Sequence, residues 1–276
     1  MYLEKLHLKD RFSFLGENGA DPVLDIALRE NLSEMHREND RRPCMIVLPG
    51  GGYHFCSQRE AEPVAARFFA DGYNTFTLWY SVKPHAFPRQ LREVAAVLEV
   101  IYENAEKWHC DTDRIAIIGF SAGGHLACHY SNAYDWPEVR SVFPDSKPVR
   151  ACVLSYPVIS FDPAIRHERS YLYLAGDQAS AENEKRLSCE NMVSEKTPPT
   201  YLWHTAADTN VPVQNSLVYA AALAQQKIPF SLRIFPYGKH GLSTADKETN
   251  DTLAPEIARV ADWLPDVKNW LETVMR

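Results

Sequence analysis

Ile115-Ala116-Ile117-Ile118-Gly119-Phe120-Ser121-Ala122-Gly123-Gly124-His125 is the stretch on which the reading of this chain turns. Its four leading apolar residues read as a buried strand, and Leu126-Ala127-Cys128-His129-Tyr130 continues beyond it as a helix. Between the two, Ser121 stands among small residues in the G-x-S-x-G pattern. A sharp strand-to-helix turn of that kind holds a serine hydroxyl exposed above a sheet, ready to act as a nucleophile. The same five residues also describe an ordinary turn with a capping serine, so the surrounding chain has to decide.

Upstream, Cys44-Met45-Ile46-Val47-Leu48 is a short apolar strand that runs into Pro49-Gly50-Gly51-Gly52-Tyr53, where successive glycines let backbone N–H groups approach a ligand closely. A helix is expected from about Arg59 to Ala70, with Val64, Ala65, Phe68 and Phe69 on one face and a stop at Asp71-Gly72. Tyr73 to Tyr80 is rich in β-formers and reads as a strand. After a loop at Pro84–Pro88, Leu91, Val94, Ala95, Leu98 and Ile101 recur at helical spacing in a segment expected to run from Arg89 to about Trp108. Residues 1–42 are polar and mixed, with turn signals at Gly16-Glu17-Asn18-Gly19, and read as an edge hairpin or strand pair without a functional role. The alternation of strand and helix builds a mostly parallel sheet flanked by helices.

Downstream, Ala151 to Tyr156 is a further strand halted by Pro157. The stretch 157–199 is too long for an ordinary connection and reads as a cap-like insertion in a single domain spanning 1–276. Tyr201 to His204 is the next strand, Val213 to Gln226 a helix, and Phe230 to Phe235 the last strand. A closing helix from about Pro255 to Met275 is expected to kink at Pro265.

Composition narrows the classes of function. The 276 residues are 45% hydrophobic and 24% charged, with a net charge of −7 and no basic block, which argues against nucleic acid or an anionic membrane as partner. No apolar run reaches the roughly 18 residues of a membrane span. The start of the chain lacks the pattern of a secretory signal, so a cytoplasmic protein is expected. The six cysteines, Cys44, Cys56, Cys110, Cys128, Cys152 and Cys189, are far apart and read as free thiols. Cys56 is the only one near the proposed site, and no activating base adjoins it. His125 and His129 lie one helical turn apart, a metal-ligand spacing, but no third ligand is evident. Neither a metal nor a cofactor is expected.

If Ser121 is a nucleophile it needs a base and an acid. In enzymes built on this elbow the partners follow in the order serine, acid, histidine, on loops after later strands. His204 lies inside a strand, whereas His240 sits in Tyr237-Gly238-Lys239-His240-Gly241, just after the last strand, and is the better base. Asp208, in Thr205-Ala206-Ala207-Asp208-Thr209-Asn210-Val211-Pro212, leaves the preceding strand and would orient the imidazole. Asp246 and Asp177 are weaker alternates. The backbone N–H of Ala122, together with Gly51 and Gly52 of the glycine loop, would form an oxyanion hole.

Taken together, Pro49–Tyr53, Gly119–Ala127, Pro198–Asp208 and Phe235–Gly241 resemble the α/β-hydrolase esterases related to acetylxylan or sugar esterases, themselves similar to the hormone-sensitive lipase-like esterases. The resemblance covers about Cys44 to Leu242. It implies an α/β-hydrolase fold and hydrolysis of a short, acetyl-type ester of a small sugar or oligosaccharide, with Ser121, Asp208 and His240 matching the family triad. Two positions depart from the pattern: Pro49 replaces the histidine of H-G-G-G, and Ala207 stands where relatives often carry a second aspartate. An arylformamidase or dienelactone-type hydrolase, a small-substrate peptidase and an inactive fold serving as a binding protein share the framework. The expected partner is a small-molecule ester, and self-association stays open.

Overall fold

The computed structural model describes residues 1–276. Short β-branched and aliphatic runs set eight strands, β1 (Tyr2–His7), β2 (Val23–Leu28), β3 (Arg42–Leu48), β4 (Asn74–Trp79), β5 (Cys110–Phe120), β6 (Ala151–Ser155), β7 (Thr200–Thr205) and β8 (Phe230–Phe235). They form one sheet in the order β1-β2-β4-β3-β5-β6-β7-β8. The pairs β1–β2 and β2–β4 are antiparallel; from β4 onward every neighbouring pair is parallel. The first 42 residues therefore supply the edge strand pair expected of them. A parallel sheet needs crossover helices on its faces. Here they are α1 (Leu8–Arg11), α2 (Glu62–Ala70), α3 (Arg89–Glu103), α4 (Ala122–Ala133), α5 (Pro137–Arg140), α6 (Glu168–Ala175), α7 (Ala181–Leu187), α8 (Gln214–Gln225), α9 (Pro255–Ala258) and α10 (Trp263–Val274).

Side chains alternate across the sheet with period two, so each central strand feeds two cores. In β3, Cys44, Ile46 and Leu48 pack with residues of α3, α4 and α8. Met45 and Val47 face the other way, with Phe68 of α2 and Trp263, Val267 and Leu271 of α10. Trp203 of β7 stacks on Trp263 with ring centroids 5.2 Å apart. The sheet is thereby sealed on both faces, and the mostly parallel, helix-flanked architecture is that of the α/β-hydrolase fold.

Three boundaries depart from the sequence reading. The helix expected from Arg59 begins only at Glu62: Gln58–Glu60 forms a 3-10 turn, and Ala61 breaks it with φ −103° and ψ −103°. The break turns Glu60 inward, where it is 3% exposed. The helix expected to reach Trp108 stops at Glu103, where the Asn104 side chain donates to the Val100 carbonyl at 2.8 Å and competes with the next helical turn. Pro265 does not kink a long helix. The chain from 255 to 275 is α9, a 3-10 turn (Arg259–Asp262) and then α10. Pro265 falls in the first turn of α10, where its missing N–H leaves no helical bond unmade.

Candidate active site

The strand–turn–helix junction at Ser121 is held in a conformation that ordinary residues avoid. Ser121 has φ 52° and ψ −117°, a strain of about 1–3 kcal/mol that persists only when neighbours over-determine it. They do: its N–H donates to Ser155 O of β6 at 3.0 Å, and its carbonyl accepts from Val158 N–H at 3.0 Å. The flanking glycines follow from crowding. A Cβ at Gly119 would lie 2.1 Å from Gly123 O, and one at Gly123 would lie 2.2 Å from Leu48 O. Removing those two side chains lets β5 turn straight into α4 while packed against the end of β3.

Four loops at the carboxyl ends of β3, β5, β7 and β8 meet over this serine, the edge where open α/β sheets place their sites. His240 Nε2 lies 2.8 Å from Ser121 Oγ, and His240 Nδ1 lies 2.6 Å from Asp208 Oδ2. An ionised carboxylate can only accept. Nδ1 therefore donates to Asp208, leaving Nε2 to accept from the serine hydroxyl. The loop carrying His240 is anchored by Thr205 Oγ1, which donates to Gly238 O at 2.9 Å. Asp208 is itself saturated: Oδ1 accepts from Asn210 N–H at 2.9 Å and Val211 N–H at 3.0 Å, and His204 Nε2 stands 3.3 Å from Oδ2. Burial alone would push the Asp208 carboxyl up, but the hydrogen bonds from His204, His240 and Val211 outweigh it and hold the group well below the usual carboxylate range.

The alternates lie elsewhere. Asp246 pairs with Arg67 at 2.6 Å, and Asp177 is exposed in a 3-10 turn after α6. His204 is fully buried in β7, its nitrogens engaged by Ser216 Oγ and Val211 O. Cys56 donates weakly to Tyr80 O, and burial pushes its thiol up to about 12, which leaves it unreactive. His125 has both ring nitrogens committed, to Tyr53 hydroxyl and Leu187 O at 2.8 Å each, and His129 stacks on Phe87. The buried Nε2 of His129 has no hydrogen-bond partner.

Of the candidate oxyanion donors, Gly51 and Gly52 line the same cavity as Ser121, and Ala122 follows it directly. Gly51 and Gly52 have φ 128° and 65°, and neither N–H donates to another protein group. Ala122 opens α4, so its N–H is one of those a helix leaves without an internal partner. By contrast, the Gly50 N–H is taken at 2.8 Å by Glu60 Oε2. Glu60 Oε1 accepts from Tyr156 hydroxyl at 2.5 Å, that hydroxyl accepts from Ser243 N–H at 2.9 Å, and the Tyr156 ring meets the His240 ring edge-on at 5.0 Å. Glu60 thus straps the glycine loop to the floor and the histidine loop. Nothing in the local sequence distinguishes this carboxylate from a solvated one, and only the break at Ala61 turns it inward.

A cavity of about 320 Å³ opens beside Ser121. Its walls include Gly51, Gly52, Phe55, His240, and His167, Arg169 and Tyr173 from the β6–β7 connection. Tyr53 and Tyr80 are core residues and Trp79 donates to Asp25, whereas Tyr173 lines the cavity.

Residues 24–223 match the BD-FAE family model. The chain is 37% identical over 227 residues to endo-1,4-beta-xylanase B of Butyrivibrio fibrisolvens, covering 78% of this chain and 34% of that one. It is 28% identical to an acetylxylan esterase of Xylanibacter ruminicola, over 86% of this chain and 47% of that one. It therefore spans only a third to a half of these relatives. Among solved structures, the acetyl ester-xyloside bifunctional hydrolase from Caldicellulosiruptor lactoaceticus superposes with a TM-score of 0.83 at 34% identity, over 98% of this chain and 96% of the other. The carboxylesterase Cest-2923 from Lactobacillus plantarum gives 0.82 at 27% identity, over 99% and 98%. With its elbow, its sheet order and a family match across most of its length, the chain belongs to the BD-FAE family and has the α/β-hydrolase fold.

Proposed function

We propose that the protein is a serine carboxylic-ester hydrolase acting on short, acetyl-type esters of small sugars or oligosaccharides. The observation that carries the reading is the unbroken chain from Ser121 Oγ through His240 to Asp208, with links of 2.8 and 2.6 Å. Ser121 Oγ attacks the ester carbonyl while His240 Nε2 takes its proton. Asp208 stabilises the imidazolium and keeps the ring in the orientation that leaves Nε2 facing the serine. The carbonyl oxygen gains charge within reach of the Gly51, Gly52 and Ala122 N–H groups, each such donor contributing about 3–4 kcal/mol in the transition state. His240 then protonates the departing alcohol. A water, deprotonated by the same nitrogen, cleaves the acyl-serine to release the acid and restore Ser121.

The substrate class rests on the size and polarity of the cavity. At about 320 Å³, with Phe55 and Tyr173 as its apolar walls, it suits a small polar ester better than a long acyl chain. An acetylxylan esterase and an acetyl ester-xyloside bifunctional hydrolase among the similar proteins support an acetyl group. In this reading the connection 157–199 acts as a cap over the entrance. No helix is long and apolar enough to cross a membrane, and six unpaired cysteines fit a reducing compartment, so the proposal extends to the cytoplasm. Purified protein should hydrolyse p-nitrophenyl acetate, and Ser121→Ala should abolish this with the circular dichroism spectrum unchanged. Full activity in the alanine variant would overturn the reading.

A further inference from the structure

The wall of the cavity beside Ser121 is unbalanced in charge. Arg59 and Arg169 both line it, in a chain whose net charge is −7. Neither arginine forms an ion pair with a carboxylate. Arg59 Nη1 has only the Thr249 carbonyl, at 3.5 Å, and Arg169 has no hydrogen-bonded partner. The contrast with Arg166, three residues earlier on the same connection, is direct: that guanidinium is tied to both Glu168 and Glu184. The acidic residue in the cavity wall is Glu60, which is 3% exposed and has both oxygens occupied by Gly50 N–H and Tyr156 hydroxyl. It is ion-paired with neither arginine, and its single negative charge does not offset the two positive ones. The remaining titratable walls, His54, His167 and His240, bring no negative charge. Burial, with the Arg169 charge nearby, keeps His167 below its usual range.

Two permanent cations on exposed side chains line one small cavity, and the planar guanidinium fork matches the paired oxygens of a carboxylate or phosphate. The side of the site on which they act can also be read. The departing alcohol takes its proton from His240, so it leaves along the His240 wall. Arg59 lies on that wall: its Nη2 is 3.4 Å from where a Cβ on Gly241, the residue after His240, would stand.

We infer that the ester cleaved here carries an anionic group, a carboxylate or a phosphate, on its alcohol half, and that Arg59 and Arg169 bind it. This deepens the esterase reading and rests on it. The preference comes from binding rather than chemistry, since the arginines do not touch the reacting carbonyl. It should therefore appear chiefly in KM and fade as salt screens the partly exposed charges.

The test compares pairs of acetate esters that differ in that charge alone. The carboxylate arm is p-acetoxybenzoate against its neutral amide, and the phosphate arm is p-acetoxyphenyl phosphate against its neutral dimethyl phosphate ester. At low ionic strength the anionic member of at least one pair should be favoured about tenfold in kcat/KM, the scale of a hydrogen bond to a charged group. The favoured arm tells which anion fits. Arg59→Gln and Arg169→Gln should each bring the anionic-to-neutral ratio towards one, with Arg59→Lys keeping part of it. A ratio near one in the wild type for both pairs, or a preference indifferent to both glutamine variants, overturns the inference while leaving the esterase reading intact. Failure to cleave any acetate overturns the esterase reading instead. An acyl-side control, mono-p-nitrophenyl succinate against the neutral pentanoate, should show no such preference, and a preference there would contradict the placement on the alcohol half.

Discussion

The turns that hold Ser121, Asp208 and His240 and the long connection between β6 and β7 border the same cavity, but they are specified in opposite ways. Each turn is short and leaves a parallel strand at a fixed height, so the sheet register alone delivers its residue to within a few ångströms of the others. Glycines remove the side chains that would prevent it: 2.1 Å at Gly119 and 2.2 Å at Gly123 admit no Cβ. The connection has no such frame. Its helices α6 and α7 are short, and their placement is set by contacts such as Leu187 O to His125 Nε2 and Cys189 N–H to Ile159 O. Chemistry is therefore carried by register, and selectivity by packing.

The largest effect that would break this division is at Asp208. Asp208→Asn leaves a side chain of the same shape but reverses the donor at His240 Nδ1, and comparable triads lose about 10⁴ in turnover. Turnover measured on p-nitrophenyl acetate should fall by that order. If Asp246→Asn did as much and Asp208→Asn little, the register argument would fail, because Asp246 sits outside the β7 turn.

The next effect concerns the junction of the two regions. His125 on α4 joins the glycine loop, through Tyr53, to the connection, through Leu187. Burial lowers it from 6.5 to about 4. Its folded-state value lies below the unfolded one, so the unfolded chain takes up the proton first. Its contribution is full above pH 6.5 and is lost as pH falls towards 4, on the order of 3 kcal/mol. Glu93 runs the other way. Burial raises it from 4.5 to about 7, so its contribution is full below pH 4.5 and is lost as pH rises past 7. Glu93→Gln, which stays neutral, should gain in Tm over the wild type at pH 8 and lose that gain at pH 4.5. An equal difference at both pH values would show that Glu93 is not titrating in this range.

Much of this was legible in the residues, and the limits have physical causes. The elbow, the glycine loop, Asp208 and His240 could be read because glycine positions and strand ends leave local signatures. The eight-strand frame followed from alternating apolar runs, with β8 falling on Phe230–Phe235 as expected. His204 was visible only as a rejected base; its place beside Asp208 depends on being buried four residues upstream in β7. Glu60 was not legible at all, since a carboxylate becomes structural only when a backbone break turns it inward. The kink expected at Pro265 failed because a proline that begins a helix and one that bends it look alike in sequence.

Glu60 gives a sharper, smaller test. Glu60→Gln keeps one acceptor but presents an amide to either Gly50 N–H or Tyr156 hydroxyl, and it should lower kcat by about 10-fold to 100-fold, as losing a charge-assisted bond would. KM should change little, because the strap positions the donors rather than the substrate, and Glu60→Asp should recover part of the loss. A rise in KM with kcat unchanged would move Glu60 to the binding side of the comparison. The smallest effect belongs to the cavity itself. Along acetyl, butyryl and octanoyl esters kcat/KM should decline in steps of about 1–3 kcal/mol or less per change. A rise with chain length would mean an acyl groove beneath the connection.

The central claim is that register brings one serine, and no other nucleophile, into the geometry for attack. A serine-directed phosphonate followed by peptide mass spectrometry tests it most directly. The account predicts a single adduct on Ser121, formed in the wild type, slowed in His240→Ala and absent in Ser121→Ala. An adduct on Cys56 or any other residue, or an unmodified Ser121 in protein that still cleaves p-nitrophenyl acetate, would contradict it.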